Sequence, residues 1–391
     1  MAAAAGLALL ALLAAAGAER GRKVSMEYNP GWNSSSVNLL HVRAVGPEDT
    51  LHYVWSSIGA PSVLLVATRS PSSALRVNWT QLLSPSPAGA VWIDPPDSVV
   101  YSTAVVFTKL FEFSEAKPLG ELFYPTYDLS EFSWESLNHT LNHTALTAEL
   151  RGVPASDPGG AFANGSLAFQ VTAFEGSGRA ERLPRLLHTA DSSQLQFVLA
   201  GALPRGNGSR FVLQLAALEP PGALRRLRTR SSIDDEYAPS VFQELSLVAE
   251  PPNGSTGGSA LSFLHWKAAA YGSPSPRRED GVRCRAGALR AANGSAPAAA
   301  VPRAFFGDGP AALSVLNVSF GGEEGHVYQE RRYLSWSVLL GFGEPPRDSF
   351  SPLVISIAAV ALGTPLAVLL LGGCGLLLAR RRRYSEYEPI N

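Results

Sequence analysis

Residues 353–379 are 27 consecutive positions with no ionisable side chain except the thiol of Cys374. As a helix rising about 1.5 Å per residue, this stretch covers roughly 40 Å, more than a hydrocarbon core requires. Arg380, Arg381, Arg382 and Arg383 follow at once, and clustered arginine keeps its end of a span on the cytosolic side. Between Glu19 and Ser351 no other segment holds 18 apolar residues in a row. The sequence therefore predicts one membrane-embedded helix over 352–379, a cytosolic tail over 380–391 and everything earlier on the far side. At the N-terminus, residues 1–18 carry no charged side chain and end in Ala16-Gly17-Ala18, followed by Glu19 and Arg20. Small residues at that spacing after an apolar run mark a secretory signal peptide. The expected arrangement is type I, with a lumenal domain over 19–351.

The chemistry of that domain's surface follows from its asparagines. Charged residues make up only 17% of the chain, below the usual quarter, so something uncharged must help solvate it. Asn33, Asn78, Asn138, Asn142, Asn164, Asn207, Asn253, Asn293 and Asn317 each begin an Asn-x-Ser/Thr sequon. Nine of the twelve asparagines are thus acceptors, where chance would place about two. All nine fall between the leader and the span, where N-glycosylation acts, so sugar is expected to take the place of Lys and Glu. A net charge of -1 offers no field for nucleic acid.

Period-two alternation dominates the same region. Leu75, Val77 and Trp79 alternate with Arg76, Asn78 and Thr80, and Leu316, Val318 and Phe320 oppose Asn317 and Ser319. Similar runs occur at 40–45, 99–107, 167–173, 195–199, 211–215 and 333–338, each presenting one apolar face as a strand. The 36 glycines and 29 prolines favour many short strands joined by turns. The fold class is mainly β: an antiparallel β-sandwich-type ectodomain, one sandwich or two, plus the C-terminal transmembrane helix. A subdivision could fall near 151–160, and 251–259 and 273–300 also read as linkers.

Catalytic and metal motifs do not stand out. His139 and His143 have i, i+4 spacing but occupy the middle of tandem sequons, which points to glycosylated surface. Asp234-Asp235-Glu236 reads as a solvated acidic turn, and His188 with Asp191 as local turn bonding. No nucleophile motif, zinc spacing or cofactor fingerprint selects a site, so neither enzyme activity nor a cofactor is expected. Cys284 lies between Arg283 and Arg285, where nearby cations would favour the thiolate. In the span, Ala359, Gly363 and Ala367 recur at i+4 beside Pro365, and Gly375 lies two turns beyond Ala367, a small-residue face that lets another helix approach. In the tail, Tyr387 to Ile390 fits Y-x-x-Φ, an extended sorting signal whose Tyr and Ile fill clathrin-adaptor pockets.

The segments HVRAVG (41–46), LHYVWSS (51–57), VNWTQLLSP (77–85), FANGSLAF (162–169), RLLHTAD (185–191), SIDDEYAP (232–239), RAFFG (303–307), YLSWS (333–337) and the YSEY…IN tail resemble, in order, the glycosylated lysosomal membrane protein family. The resemblance implies lysosomal residence. It also implies a role as non-catalytic accessory subunit of a lysosomal major-facilitator transporter for dipeptides, which it shields from lumenal proteases. The resemblance further implies lumenal cysteines where Ser193 and Ser314 stand here, which leaves Cys284 without an obvious intramolecular partner, as a free thiol or an intermolecular link. The alternative readings are a membrane-anchored lysosomal hydrolase and an endocytosed surface receptor.

Overall fold

The computed structural model describes residues 21–116, 120–234, 240–251, 260–292, 297–307, 309, 311–321, 326–347 and 352–385. The leader, Asn253, Asn293, all of the 251–259 linker but Pro251, Asp235 and Glu236, and the tail signal with Tyr387 and Ile390 lie outside them.

The chain opens with a meander, β1 (Lys23–Tyr28), β2 (Leu39–Val45), β3 (Thr50–Ser56) and β4 (Ser62–Thr68). A hairpin, β5 (Ala74–Val77) and β6 (Val91–Asp94), encloses the short helix α1 (Trp79–Leu82) and leads to the long strand β7 (Val99–Ala116). Four short and medium strands follow, β8 (Gly120–Phe123), β9 (Tyr127–Asp128), β10 (Phe132–Trp134) and β11 (Thr147–Pro154). β12 (Ser166–Ala173) and β15 (Ser192–Ala200) flank a small hairpin, β13 (Gly178–Arg179) and β14 (Leu187–His188). Then come β16 (Arg210–Glu219), β17 (Leu224–Asp234), β18 (Ser240–Glu250) and β19 (Ser262–Lys267). After β20 (Ala269–Tyr271), β21 (Gly281–Ala286) and β22 (Arg290–Ala292) run α2 (Ala300–Phe306), β23 (Ala312–Phe320), α3 (His326–Arg331) and β24 (Tyr333–Phe342). The last element is α4 (Pro352–Ser385).

Antiparallel pairing arranges these strands in two layers. The first runs β1-β2-β3-β4-β7-β16-β23; the second runs β10-β11-β12-β15-β24-β19-β18. β21 belongs to both. Its start pairs with β20 of the second layer, and Cys284–Ala286 pair with β23 of the first. A strand that changes sheets makes a corner, so the layers are joined along one side. The sandwich expected from the alternation is what the chain builds.

The core lies between the layers. Tyr53, Leu65, Phe107, Leu213 and Leu215 from the first meet Phe169, Phe197, Trp266, Trp336 and Leu340 from the second. Aromatic rings make a continuous path across it, Phe107–Phe169 at 4.9 Å, Phe169–Phe197 at 5.8 Å, Phe197–Phe320 at 5.6 Å and Phe320–Trp336 at 5.7 Å. Each such side chain contributes about 1.5–3 kcal/mol on burial. The first layer also buries its outer face: Leu64, Val66, Ala104 and Val106 pack against Leu75, Trp79, Val91 and Ile93 of the β5–β6 hairpin and Val301 and Ala304 of α2. That second core covers β4 from outside and, in β3, Val54. The polar positions of β3 are closed by the loop after β4, where Thr50 and His52 bond to Ser70 and Ser73, and by the bond from Ser56 to the Asn38 carbonyl. Both strands are therefore buried at every position.

Three local expectations fail. The alternation over 75–80 does not continue as strand, because Asn78 leaves β5 and caps α1, its Oδ1 accepting from the Gln81 N–H at 3.2 Å. Asparagine is among the best N-caps, and Trp79 is held by stacking on Trp32 at 5.5 Å and by donating to the Pro30 carbonyl. Arg151–Pro154 run inside β11, paired with β10 and β12, so no linker begins there. Likewise, 281–286 and 290–292 are strands β21 and β22; the Arg-Ala-Gly-Pro composition of 273–300 hides the in–out pattern of Val282 and Cys284 against Arg283 and Arg285.

Candidate functional site

The acceptor asparagines behave as one class. Asn33, Asn78, Asn138, Asn142, Asn164, Asn207 and Asn317 are all exposed. The two described asparagines outside sequons are the reverse: Asn29 is 1% and Asn38 3% exposed. Asn29 donates to the Ser34 and Val37 carbonyls and accepts from Leu39 N–H; Asn38 donates to the Glu135 carbonyl and accepts from Leu137 N–H. Burial without such partners would cost each amide several kcal/mol, roughly 1–3. The described sequon amides instead face solvent. Asn142 accepts through Oδ1 from Thr144 and Ala145 N–H, and Asn317 through Oδ1 from Gln214 Nε2. In both, the amide nitrogen that would carry sugar is not the engaged atom.

Charged residues in the interior include two ion pairs. Glu219 and Arg225 form a buried ion pair whose Nε–Oε1 distance is 2.6 Å. Thr103 and Tyr101 of β7 donate to the carboxylate, while Arg225 donates to the Leu247 carbonyl, Thr103 Oγ1 and Ser262 Oγ. This network ties β7 and β16 of the first layer to β18 and β19 of the second. Buried Glu112 holds Arg205 at 2.6 Å through both Nε and the backbone N–H, and the guanidinium lies over the Tyr127 ring at 4.5 Å. A third cluster is neutral. His41 and His52 stack at 5.2 Å and share a 2.9 Å hydrogen bond, with His52 reaching Ser73 Oγ at 2.9 Å. Burial, assisted by the neighbouring charge of Arg43, lowers His41 to about 3 and His52 to about 4. No sequence motif marks these three clusters, because their members meet across separations of 6 to 122 positions.

The residues that did attract attention come apart. His139 ends a short 3-10 turn, and His143 lies in the following turn, both exposed. His188 stacks on Phe174 at 3.6 Å and hydrogen-bonds the Gly176 carbonyl, whereas Asp191 pairs with Arg22 at 2.6 Å. Ser192 closes the turn by bonding back to Thr189. Among the described residues no three His, Cys, Asp or Glu side chains converge as a metal site. The thiolate expectation for Cys284 is overturned: it is 2% exposed, and burial pushes its thiol well above the ordinary range. Alternation in β21 turns Arg283 and Arg285 to the opposite face, so they give the sulfur no solvated cation. Ser314 faces Ala217 while Cys284 faces Phe320, six residues along β23, and Ser193 sits opposite Leu340.

α4 is a single helix whose window Ala359–Arg380 is long and apolar enough to cross a membrane. Ala359, Gly363 and Ala367 are exposed on it, and a Cβ at Gly363 would meet nothing within 4 Å. Pro365 lies inside the helix, and Thr364 Oγ1 donates to the Val360 carbonyl at 2.6 Å, a bond of the kind that occupies backbone acceptors near a helical proline.

Comparison with known proteins matches residues 38–383 to the glycosylated lysosomal membrane protein family. The chain belongs to that family. It is 48% identical to glycosylated lysosomal membrane protein A of Xenopus laevis over 396 residues, covering 99% of this chain and 97% of that protein. To the Homo sapiens glycosylated lysosomal membrane protein it is 46% identical over 382 residues, with 95% and 91% covered; to that of Danio rerio, 43% over 384 residues, with 95% and 92% covered. It is a lysosomal membrane glycoprotein with one C-terminal membrane helix.

Proposed function

We propose that the chain is a non-catalytic accessory subunit of a lysosomal major-facilitator transporter, one that carries dipeptides, and that it stabilises this partner and shields it from lumenal proteases. The observation that carries the reading is the division among its asparagines, with every described sequon residue exposed and both described non-sequon residues buried. That division fits a domain whose surface has been given over to sugar. Its topology would be a cleaved leader over 1–18, a lumenal domain over 19–351, a span over 352–379 and a cytosolic tail over 380–391. In the tail, Tyr387 and Ile390 would engage a clathrin adaptor and direct the protein to lysosomes. The small-residue face of Ala359, Gly363 and Ala367 would pack against the transporter's own helices. Internal pairing of Glu219, Arg225, Glu112 and Arg205 supports a structural, non-catalytic interior.

The test is mass spectrometry of proteins co-purified from lysosomes in mild detergent, with and without this chain expressed. A single multi-span transporter recovered in stoichiometric amount, and depleted when the chain is missing, is the expected result. Purification of the chain alone, with no membrane protein declining, would refute the reading and turn attention to a membrane-anchored hydrolase.

A further inference from the structure

The outer face of the second layer is not simply solvated. Where β11, β12 and β15 run side by side, the segment carrying β13 and β14 folds over them and leaves a cleft of about 670 Å³, within the range of small-molecule pockets, about 300–1,000 Å³. Its floor is two cross-strand rows. One is Glu149–Gln170–Gln196, the next Thr147–Thr172–Gln194, spaced roughly 7 Å apart along the strands. Gln170 donates to Glu149 at 2.6 Å. Gln196 is only 8% exposed, and the buried Gln194 Oε1 has no hydrogen-bond partner. A buried acceptor without a donor calls for an explanation; the half-buried Gln194 lines the cleft, and rotation of its side chain would turn that sealed oxygen toward a ligand donor. The cover contributes the stacked Phe174–His188 pair. Amides, hydroxyls and an aromatic face, with acidic and basic groups both present, suit a neutral polyhydroxylated ligand.

One such ligand would start at the cleft's edge. Asn142 makes an isolated antiparallel bridge with Thr147, N–H to carbonyl in both directions at 2.8 and 3.1 Å. Residues directly opposite in such a bridge project to the same face, Cβ atoms about 5 Å apart. Asn142 therefore extends the row Thr147–Thr172–Gln194 by one position. Its Oδ1 is fixed by Thr144 and Ala145, and Ala145, like Thr140 of the preceding sequon, lines the cleft.

We infer that this cleft seats the first sugars of the N-glycan on Asn142, so that the glycan lies along the protein and the β13–β14 cover rests on it. This deepens the reading of a glycan-coated domain and rests on Asn142 being modified. The coat then has two kinds of member: chains standing in solvent, as at Asn317, and one built into the fold.

The test uses the full chain in mild detergent, treated without denaturation with peptide N-glycosidase and followed by site-resolved glycopeptide mass spectrometry. Two hydrogen bonds to the floor should slow release at Asn142 about tenfold relative to Asn317. The double variant Gln194→Leu/Gln196→Leu should bring Asn142 to the Asn317 rate and leave Asn317 unchanged. An independent readout is hydrogen exchange over residues 174–190, which should quicken with Asn142→Gln and not with Asn317→Gln. Equal release at an occupied Asn142 and Asn317, or unchanged exchange in Asn142→Gln, overturns the seat while leaving the coat intact. A peptide unmodified at Asn142 overturns both the seat and the coat at that position, and is seen directly as the unshifted mass.

Discussion

Acid should weaken this fold through two buried histidines. His41 and His52 are held neutral, taking up protons only near pH 3 and 4, because burial disfavours their charged forms and Arg43 adds to the penalty. In the unfolded chain both titrate at the ordinary value of 6.5. Between those limits the unfolded state binds more protons, so stability rises with pH across the window and is lost as pH falls through it. At pH 5 the gap is about 1.5 pH units per histidine, or about 2 kcal/mol each and about 4 kcal/mol for the pair. Against a typical total of about 5–15 kcal/mol, that is a large share. The measurement is guanidinium unfolding of the full chain in mild detergent, read by tryptophan fluorescence at pH 7.5, 6 and 5. The wild type is compared with His41→Leu/His52→Leu, in which Ser73 keeps Thr68 as a partner at 2.8 Å. The stability difference between the two proteins should fall by about 4 kcal/mol from pH 7.5 to pH 5. A difference that stays constant would refute the assignment, since contributions from carboxylates and other histidines cancel.

Other expectations are more local. Glu219→Leu strands Arg225 in the core and should cost about 3–5 kcal/mol, whereas Glu219→Leu/Arg225→Met should recover most of it; equal melting temperatures for the two variants would contradict this. Cys284 should resist iodoacetamide in the native protein and react only after denaturation, and native-state labelling would mean that β21 does not hold it inside. Gly363→Leu should reduce recovery of the co-purified transporter several-fold, an effect absent if α4 packs through another face. Tyr387→Ala should move the protein from lysosomes to the cell surface, so an unchanged lysosomal pool by surface biotinylation would sink the sorting role.

How much of this was legible in the sequence depends on range. The strands at 39–45, 166–173 and 312–320 announce themselves because each has a neighbour-by-neighbour facing pattern, and the span because length and charge alone define it. β4 carries no alternation to read, since a second core covers the outer face of its layer, and the alternation of Leu51, Tyr53 and Trp55 in β3 is broken at Val54, which belongs to that same core. That core is made by a hairpin and by α2, whose residues Val301 and Ala304 lie more than 200 positions away. The sequons were readable from three-residue motifs, although the exposure shared by their seven described asparagines was not. Cys284 shows the opposite hazard. Its immediate neighbours are arginines, yet adjacency in a strand means opposite faces. The Glu219–Arg225 and His41–His52 pairs carry no motif at all, because the groups meet only once the sheets are assembled.

β24 has a consequence for how the molecule comes into being. It is the last strand among the described residues, yet it lies inside its layer, bonded to β15 on one side and to β19 and β20 on the other. Synthesis delivers the N-terminal end first, so the second layer waits as two incomplete halves, each with an open edge able to pair with a stranger. The piece that closes it arrives just ahead of the apolar helix that begins at Pro352. Any chain interrupted before Tyr333 is left with both edges bare and without its anchor. Completion of the domain and attachment to the membrane thus follow closely on each other in the life of the chain, and a product cut short before Tyr333 fails both.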